Sequence, residues 1–189
     1  MTETADRRAL LADAAIRTLA RTGMRGLTHR AVDQAAGLPE GSCSNHFRTR
    51  QALLAAAVDR LAAHDLDETI GPLPTDPDEI AGVIADLAVR WITTERVRML
   101  ARYELALEST RRPELRNTLA DAGSRIRRPA EQLLAALGSP DPVPQAHAFV
   151  ACLDGLVFDH LAGAGTLELT RDRLHDIVRT LLRAFTTRA

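Results

Sequence analysis

The chain has 189 residues, 46% of them hydrophobic and only 3% aromatic, enough for one sizeable core or for a small unit joined to a larger one. There is no apolar run of membrane-spanning length, no apolar leader at the start and no disulfide framework in Cys43 and Cys152, so we expect a cytoplasmic protein with no membrane part. The net charge of −1 hides an asymmetry: residues 1–60 carry nine arginines against six acids, +3, and residues 61–189 carry −4, with no lysine anywhere.

Alanine, leucine and arginine dominate, which favours helices. Over Arg7–Arg21 the residues Leu10, Leu11, Ala14, Ala15, Thr18 and Leu19 recur at helical spacing, and Gly23 and Gly26 follow as breakers. Thr28 is placed to cap a short second helix, HRAVDQAA, which Gly37 ends. A third short helix is predicted from about Pro39 to His46, with Pro39 and Glu40 as its first turn and Phe47 as its apolar plug. Thr49 then caps a fourth helix.

The proline-rich segment IGPLPTDPDEI, residues 70–80, marks a change of unit. Beyond it we expect a helix over Asp76–Glu95 with Ile80, Val83, Ile84, Leu87 and Trp91 on one face, a helix over ERVRMLARYELALES, and a long one interrupted by Pro129. The helix QAHAFVACLDGLVFDHLAGAG is apolar nearly all round, and the last, from Thr170, has a continuous apolar stripe. No strand or repeat is evident. The expected fold class is all-α with about nine helices, divided into residues 1–48 and 49–189.

Two short helices joined by a tight glycine turn, with a supporting helix on each side, suit a helix-turn-helix whose second helix enters the major groove. Its composition fits that role. Gly41, Ser42 and Ser44 are small enough to lie close to base edges, and Asn45 can pair with adenine. The same layout can also be purely structural, and His46 beside Phe47 can be a packed histidine. Cys43 reads as a small core residue rather than a redox switch. Arg7 and Arg8 read as a mobile basic arm near phosphates or as solvated charge.

The span Arg7–Leu54, through LLADAAIRTLARTG, GLTHRAVDQAAGL and GSCSNHFRTRQALL, resembles the TetR-family DNA-binding domain of bacterial transcription repressors. The resemblance implies that Thr28 caps the second helix and reaches a phosphate. It sets His29 and Arg30 at the groove edge, Arg30 facing a guanine, and turns Ser42, Asn45 and His46 toward bases or phosphates. It gives Arg50 a phosphate contact. The family's usual tyrosine is Ser44 here, which removes one backbone anchor.

The resemblance also implies a homodimer built on the last two helices, for which Val157, Leu161, Leu174, Ile177, Val178, Leu181, Leu182 and Phe185 are the candidates, and an operator with two half-sites. A small-molecule effector of unknown identity would act on the larger half, its pocket drawn from Trp91, Met99, Tyr103, Glu104, Phe149, Asp154 and Phe158. Glu104 and Asp154 lack a cation at helical spacing. Each therefore needs a partner, either an arginine of the seventh helix (Arg125, Arg127 or Arg128) or a cationic effector. The internal pair is the stronger reading.

No phosphate loop, metal cluster or nucleophile elbow supports an enzyme, and no cofactor or metal is expected. His64–Asp65 and Asp159–His160 read as solvated charge. A helical dimer that senses or scaffolds without DNA would have no use for the positive charge and small polar residues of the third helix. A repressor and an activator would make the same DNA contacts.

Overall fold

The computed structural model describes residues 2–67 and 74–186. Among these the chain forms nine helices and no strand: α1 (Thr2–Gly26), α2 (His29–Ala36), α3 (Ser42–His46), α4 (Arg50–Asp67), α5 (Pro77–Ile92), α6 (Arg96–Ser109), α7 (Pro113–Ala136), α8 (Pro142–Leu161) and α9 (Arg171–Thr186). The all-α expectation holds. Residues 70–73 of the expected linker lie outside the described residues.

Packing divides the chain into two compact units. The first holds α1–α4, α6 and α7 up to Gly123. Its core is built on Leu11, Ala15 and Leu19 of α1, Val32 of α2, Cys43 and Phe47 at α3, and Leu53, Leu54 and Val58 of α4, joined by Ala101 and Leu105 of α6. Phe47 is 1% exposed, and burying such a ring stabilises the fold by about 1.5–3 kcal/mol. Leu10, expected in the apolar stripe of α1, is 39% exposed instead.

Caps follow the sequence closely here. The Thr28 hydroxyl oxygen accepts the Ala31 N–H at 3.1 Å, and Thr49 does the same for Ala52 at 3.1 Å. Gly37 closes α2 at φ 68°, in the left-handed region. The predicted start of α3 is corrected. Pro39, Glu40 and Gly41 form a turn, and Gly41, at φ 95°, cannot continue a helix toward its N-terminus.

The second unit comprises α5, α7 from Ser124, α8 and α9. Its core joins Ile80, Ala81 and Ile84 of α5, Leu133 and Leu134 of α7, Ala146, Phe149 and Leu153 of α8, and Val178 and Leu182 of α9. Asp76 caps α5, accepting the Glu79 N–H at 3.1 Å. The buried face of α5 is Ile80, Ala81, Ile84, Ala85, Ala88 and Ile92, while Val83, Leu87 and Trp91 are half-buried. Pro129 does not interrupt α7, which remains helical through it.

Candidate nucleic-acid interface

Five residues make a weak helix on their own, so α3 depends on its anchors. At its N-terminal end the Asp33 carboxylate, on α2 and 2% exposed, accepts the Gly41 N–H through Oδ2 at 2.8 Å and the Cys43 N–H through Oδ1 at 2.6 Å. Gly41 provides no side-chain cap, and a charged acceptor at the positive end of the helix takes that place. Asp33 was missed from sequence. Its capping partners lie eight and ten residues downstream, so the usual local cap spacing does not reveal it.

The other end of α3 is held by two cationic or ring side chains. Arg8 of α1 donates from Nη1 to the His46 carbonyl at 2.9 Å, and its guanidinium lies 4.6 Å from the Phe47 ring centroid. Arg8 is therefore a docked strut rather than a mobile arm. His29 Nε2 lies 2.7 Å from the Phe47 carbonyl. A carbonyl only accepts, so the ring carries its proton on Nε2. His29, expected at the groove edge, thus braces the end of α3.

With both ends fixed, the outer surface of α3 is open. Ser44 and Asn45 are exposed, and Ser42 and His46 are half-buried. Each serine hydroxyl turns back to its own backbone, Ser42 donating to the Pro39 carbonyl at 2.7 Å and Ser44 to the Gly41 carbonyl at 2.9 Å. Thr28 is exposed at the head of α2. Its hydroxyl proton is not used by the cap, where its oxygen is the acceptor. Arg30 and Glu40 form an open pair at 3.9 Å, with side chains 82% and 72% exposed.

Arg50 departs from its expected role. Its Nη2 donates to the Met24 carbonyl, and its Nε is buried with no hydrogen bond among the described residues. The guanidinium is turned into the protein, where it secures the end of α1. The Cys43 thiol is buried, as expected. Desolvation first, and then the negative charge of Asp33, push its pKa up to about 11.

The ligand-pocket candidates fall into both units. Met99 and Tyr103, on α6, are buried at 4% and 8% exposure. Glu104 accepts the Met24 N–H through Oε2 at 3.1 Å. Among the described residues its hydrogen-bond partner is thus a backbone amide. In the second unit Phe149 is core, edge-on to Phe185 at 6.3 Å, Trp91 and Asp154 are half-buried, and Phe158 is 40% exposed. A surface groove of about 400 Å³ between α5 and α9 is lined by Asp78, Asp86, Arg171 and His175 among others, and by none of these candidates.

The dimer candidates divide by burial. Val157, Leu174, Val178 and Leu182 are at most 2% exposed within the single chain, because α9 packs its stripe on α5 and α8. These four are corrected to protomer core. Leu161, Ile177, Leu181 and Phe185 are only half-buried. His64 is not solvated charge either. It joins Arg60 on the Asp13 carboxylate, Arg60 Nε at 2.8 Å, Arg60 Nη2 at 3.0 Å and His64 Nε2 at 3.2 Å.

Comparison with known proteins agrees with this geometry. Residues 11–57 match the family of bacterial regulatory proteins named for tetR, and residues 75–187 match the tetracyclin repressor-like C-terminal domain. No curated protein sequence matches the chain. Among solved structures, the multidrug binding protein EbrR in complex with ethidium is 30% identical over 93% of this chain and 98% of its own, with a TM-score of 0.70. The EbrR complex with malachite green is 31% identical over 93% and 97%, with a TM-score of 0.68. A TetR-family member from Streptomyces coelicolor A3 is 30% identical over 93% and 97%, with a TM-score of 0.73. With its helix-turn-helix unit, its helical C-terminal region and matches that together span most of its length, the chain belongs to the TetR family of transcription regulators, which are not enzymes.

Proposed function

We propose that this protein is a ligand-responsive repressor that binds a palindromic operator as a homodimer and is released by a small molecule. The observation that carries the DNA-binding part is α3 itself. It is a five-residue helix held at both ends by Asp33, Arg8 and His29, and its outward side chains are small and hydrogen-bonding. In this reading Asn45 and Ser44 meet base edges and Ser42 and His46 lie at the groove wall. Thr28 donates to a phosphate, and Arg30 reaches a guanine once it leaves Glu40. Gly41 allows the close approach. Arg50 acts from behind the surface, through Met24.

The half-buried Leu161, Ile177, Leu181 and Phe185, with exposed Phe158, support a partner-facing surface on α8 and α9. Two copies would then present two reading helices to successive major grooves. Release follows if the effector prefers a state with a different spacing, because it shifts the population by its differential affinity. The EbrR complexes with ethidium and malachite green support an aromatic cation as the effector class.

Selection of genomic fragments with purified protein tests the reading. The expected product is a two-fold symmetric site whose affinity falls steeply with salt. Malachite green should then quench the single tryptophan, Trp91, and release the selected DNA. Binding without sequence preference would remove the regulator reading. Sequence-specific binding that no dye relieves would remove the effector class alone.

A further inference from the structure

One peptide segment of the first unit is gripped from two sides. Gly23 interrupts α1 at φ 66°, ψ −172°, a backbone region held essentially by glycine alone. Just past the break, the Met24 N–H donates to Glu104 Oε2 of α6 at 3.1 Å, and the Met24 carbonyl accepts Arg50 Nη2 of α4. Thr28, which caps α2, lies four residues further on. The direction in which the chain leaves α1, and with it the setting of α2 and α3, is therefore held by side chains of α4 and α6.

We propose that this grip is a switch for operator affinity. With Glu104 engaged, α1 stays broken at Gly23 and the two reading helices are held for the groove. With Glu104 withdrawn, the Met24 N–H loses that acceptor, Arg50 alone of the two side chains still holds the segment, and the direction of the chain past Gly23 is no longer fixed for the groove. A displacement of α6 by about 1 Å is enough to part a hydrogen bond of this length. Glu104 is then a positioning residue rather than a pocket wall, and Met99 and Tyr103 on the same helix lie within five residues of it in sequence.

This inference rests on the DNA-binding reading, and the experiment separates the two. The full chain and its Glu104→Ala, Glu104→Gln and Gly23→Ala variants are titrated against the selected operator and against random DNA of equal length. Thermal unfolding checks that each variant is folded. Glu104→Ala should weaken operator binding about fivefold or more while leaving random-DNA binding within about twofold. Glu104→Gln, whose amide oxygen still accepts, should stay close to the parent. Gly23→Ala should reproduce the loss through the backbone alone, because a Cβ there meets Glu104 Oε2 only at an ordinary 3.4 Å. Parent-like affinity in both alanine variants overturns the switch, as does equal loss in Glu104→Ala and Glu104→Gln. If Glu104→Ala does not fold, parent-like affinity in Gly23→Ala, or a loss of about fivefold or more in Glu104→Gln, overturns the switch. A parent protein that selects no operator overturns the DNA-binding reading before any variant is made.

Discussion

The Asp33 carboxylate and the Cys43 amide, ten residues apart in sequence, meet at 2.6 Å. Through that bond, and the second one to the Gly41 amide, a buried acid of the supporting helix sets the start of the reading helix. Asp33→Ala would leave two amides without their acceptor. Each such orphan costs about 1–3 kcal/mol, so we expect a loss of roughly 2–6 kcal/mol, read as a lower midpoint in urea unfolding. An unchanged midpoint would show that α3 does not depend on Asp33.

The same carboxylate determines thiol reactivity. Burial and the Asp33 charge raise the Cys43 pKa to about 11, whereas Cys152 is exposed. At pH 8 a thiol reagent should modify one cysteine per folded chain, Cys152, and reach Cys43 only on unfolding. Peptide mapping of the labelled protein checks this, and prompt labelling of Cys43 would contradict its burial.

Asp13 links α1 to α4 and carries the clearest acid-dependent contribution. Burial raises its pKa, but the hydrogen bonds and charges of Arg60 and His64 lower it by more, so the net value lies below the ordinary 3.8. A depressed folded-state pKa means that the stabilisation is complete above the unfolded value and is lost as pH falls through the folded one. Asp13→Asn should therefore cost on the order of 1 kcal/mol at neutral pH, as for a partly exposed pair. The gap between mutant and parent melting temperatures should close below about pH 4. A gap that persists undiminished into acid would assign the effect to packing instead.

Readout and positioning should separate on DNA. Asn45→Ala is expected to cost about 1–3 kcal/mol on the selected operator and to relax preference at one base of each half-site. Thr28→Ala should lower affinity for all sequences alike and leave the salt dependence unchanged, because a hydroxyl neutralises no phosphate charge. Binding of mutated operators at several salt concentrations distinguishes the two patterns. If both variants behave alike, Asn45 does not read a base.

Arg8→Ala removes the stacking on Phe47 and the bond to the His46 carbonyl. The stacking alone is worth about 0.5–1 kcal/mol at an exposed site. We expect a similarly small loss of stability with a larger loss of operator affinity, because the freed end carries His46, which the proposed complex sets at the groove wall. Calorimetry and operator titration measured together test the inequality.

Much of this protein was legible in its sequence because the signals were local. Helical periodicity, the caps at Thr28 and Thr49 and the left-handed Gly37 depend on residues within one turn of each other, so spacing alone located them. The helix-turn-helix followed from the same kind of evidence. Side-chain partners across helices did not, since no spacing encodes them. Asp33 became the cap of α3, Arg8 and His29 its braces, and Arg50 a clamp on Met24 only once α1, α2 and α4 were packed together. Glu104 was visible as an acid without a helical partner, yet its partner was a backbone amide exposed by the break at Gly23, a donor that charge counting does not find. The apolar stripe of α9 was equally plain in sequence. Which of its residues are protomer core was decided by the packing of α5 and α8, because periodicity gives the width of an apolar face but not what covers it.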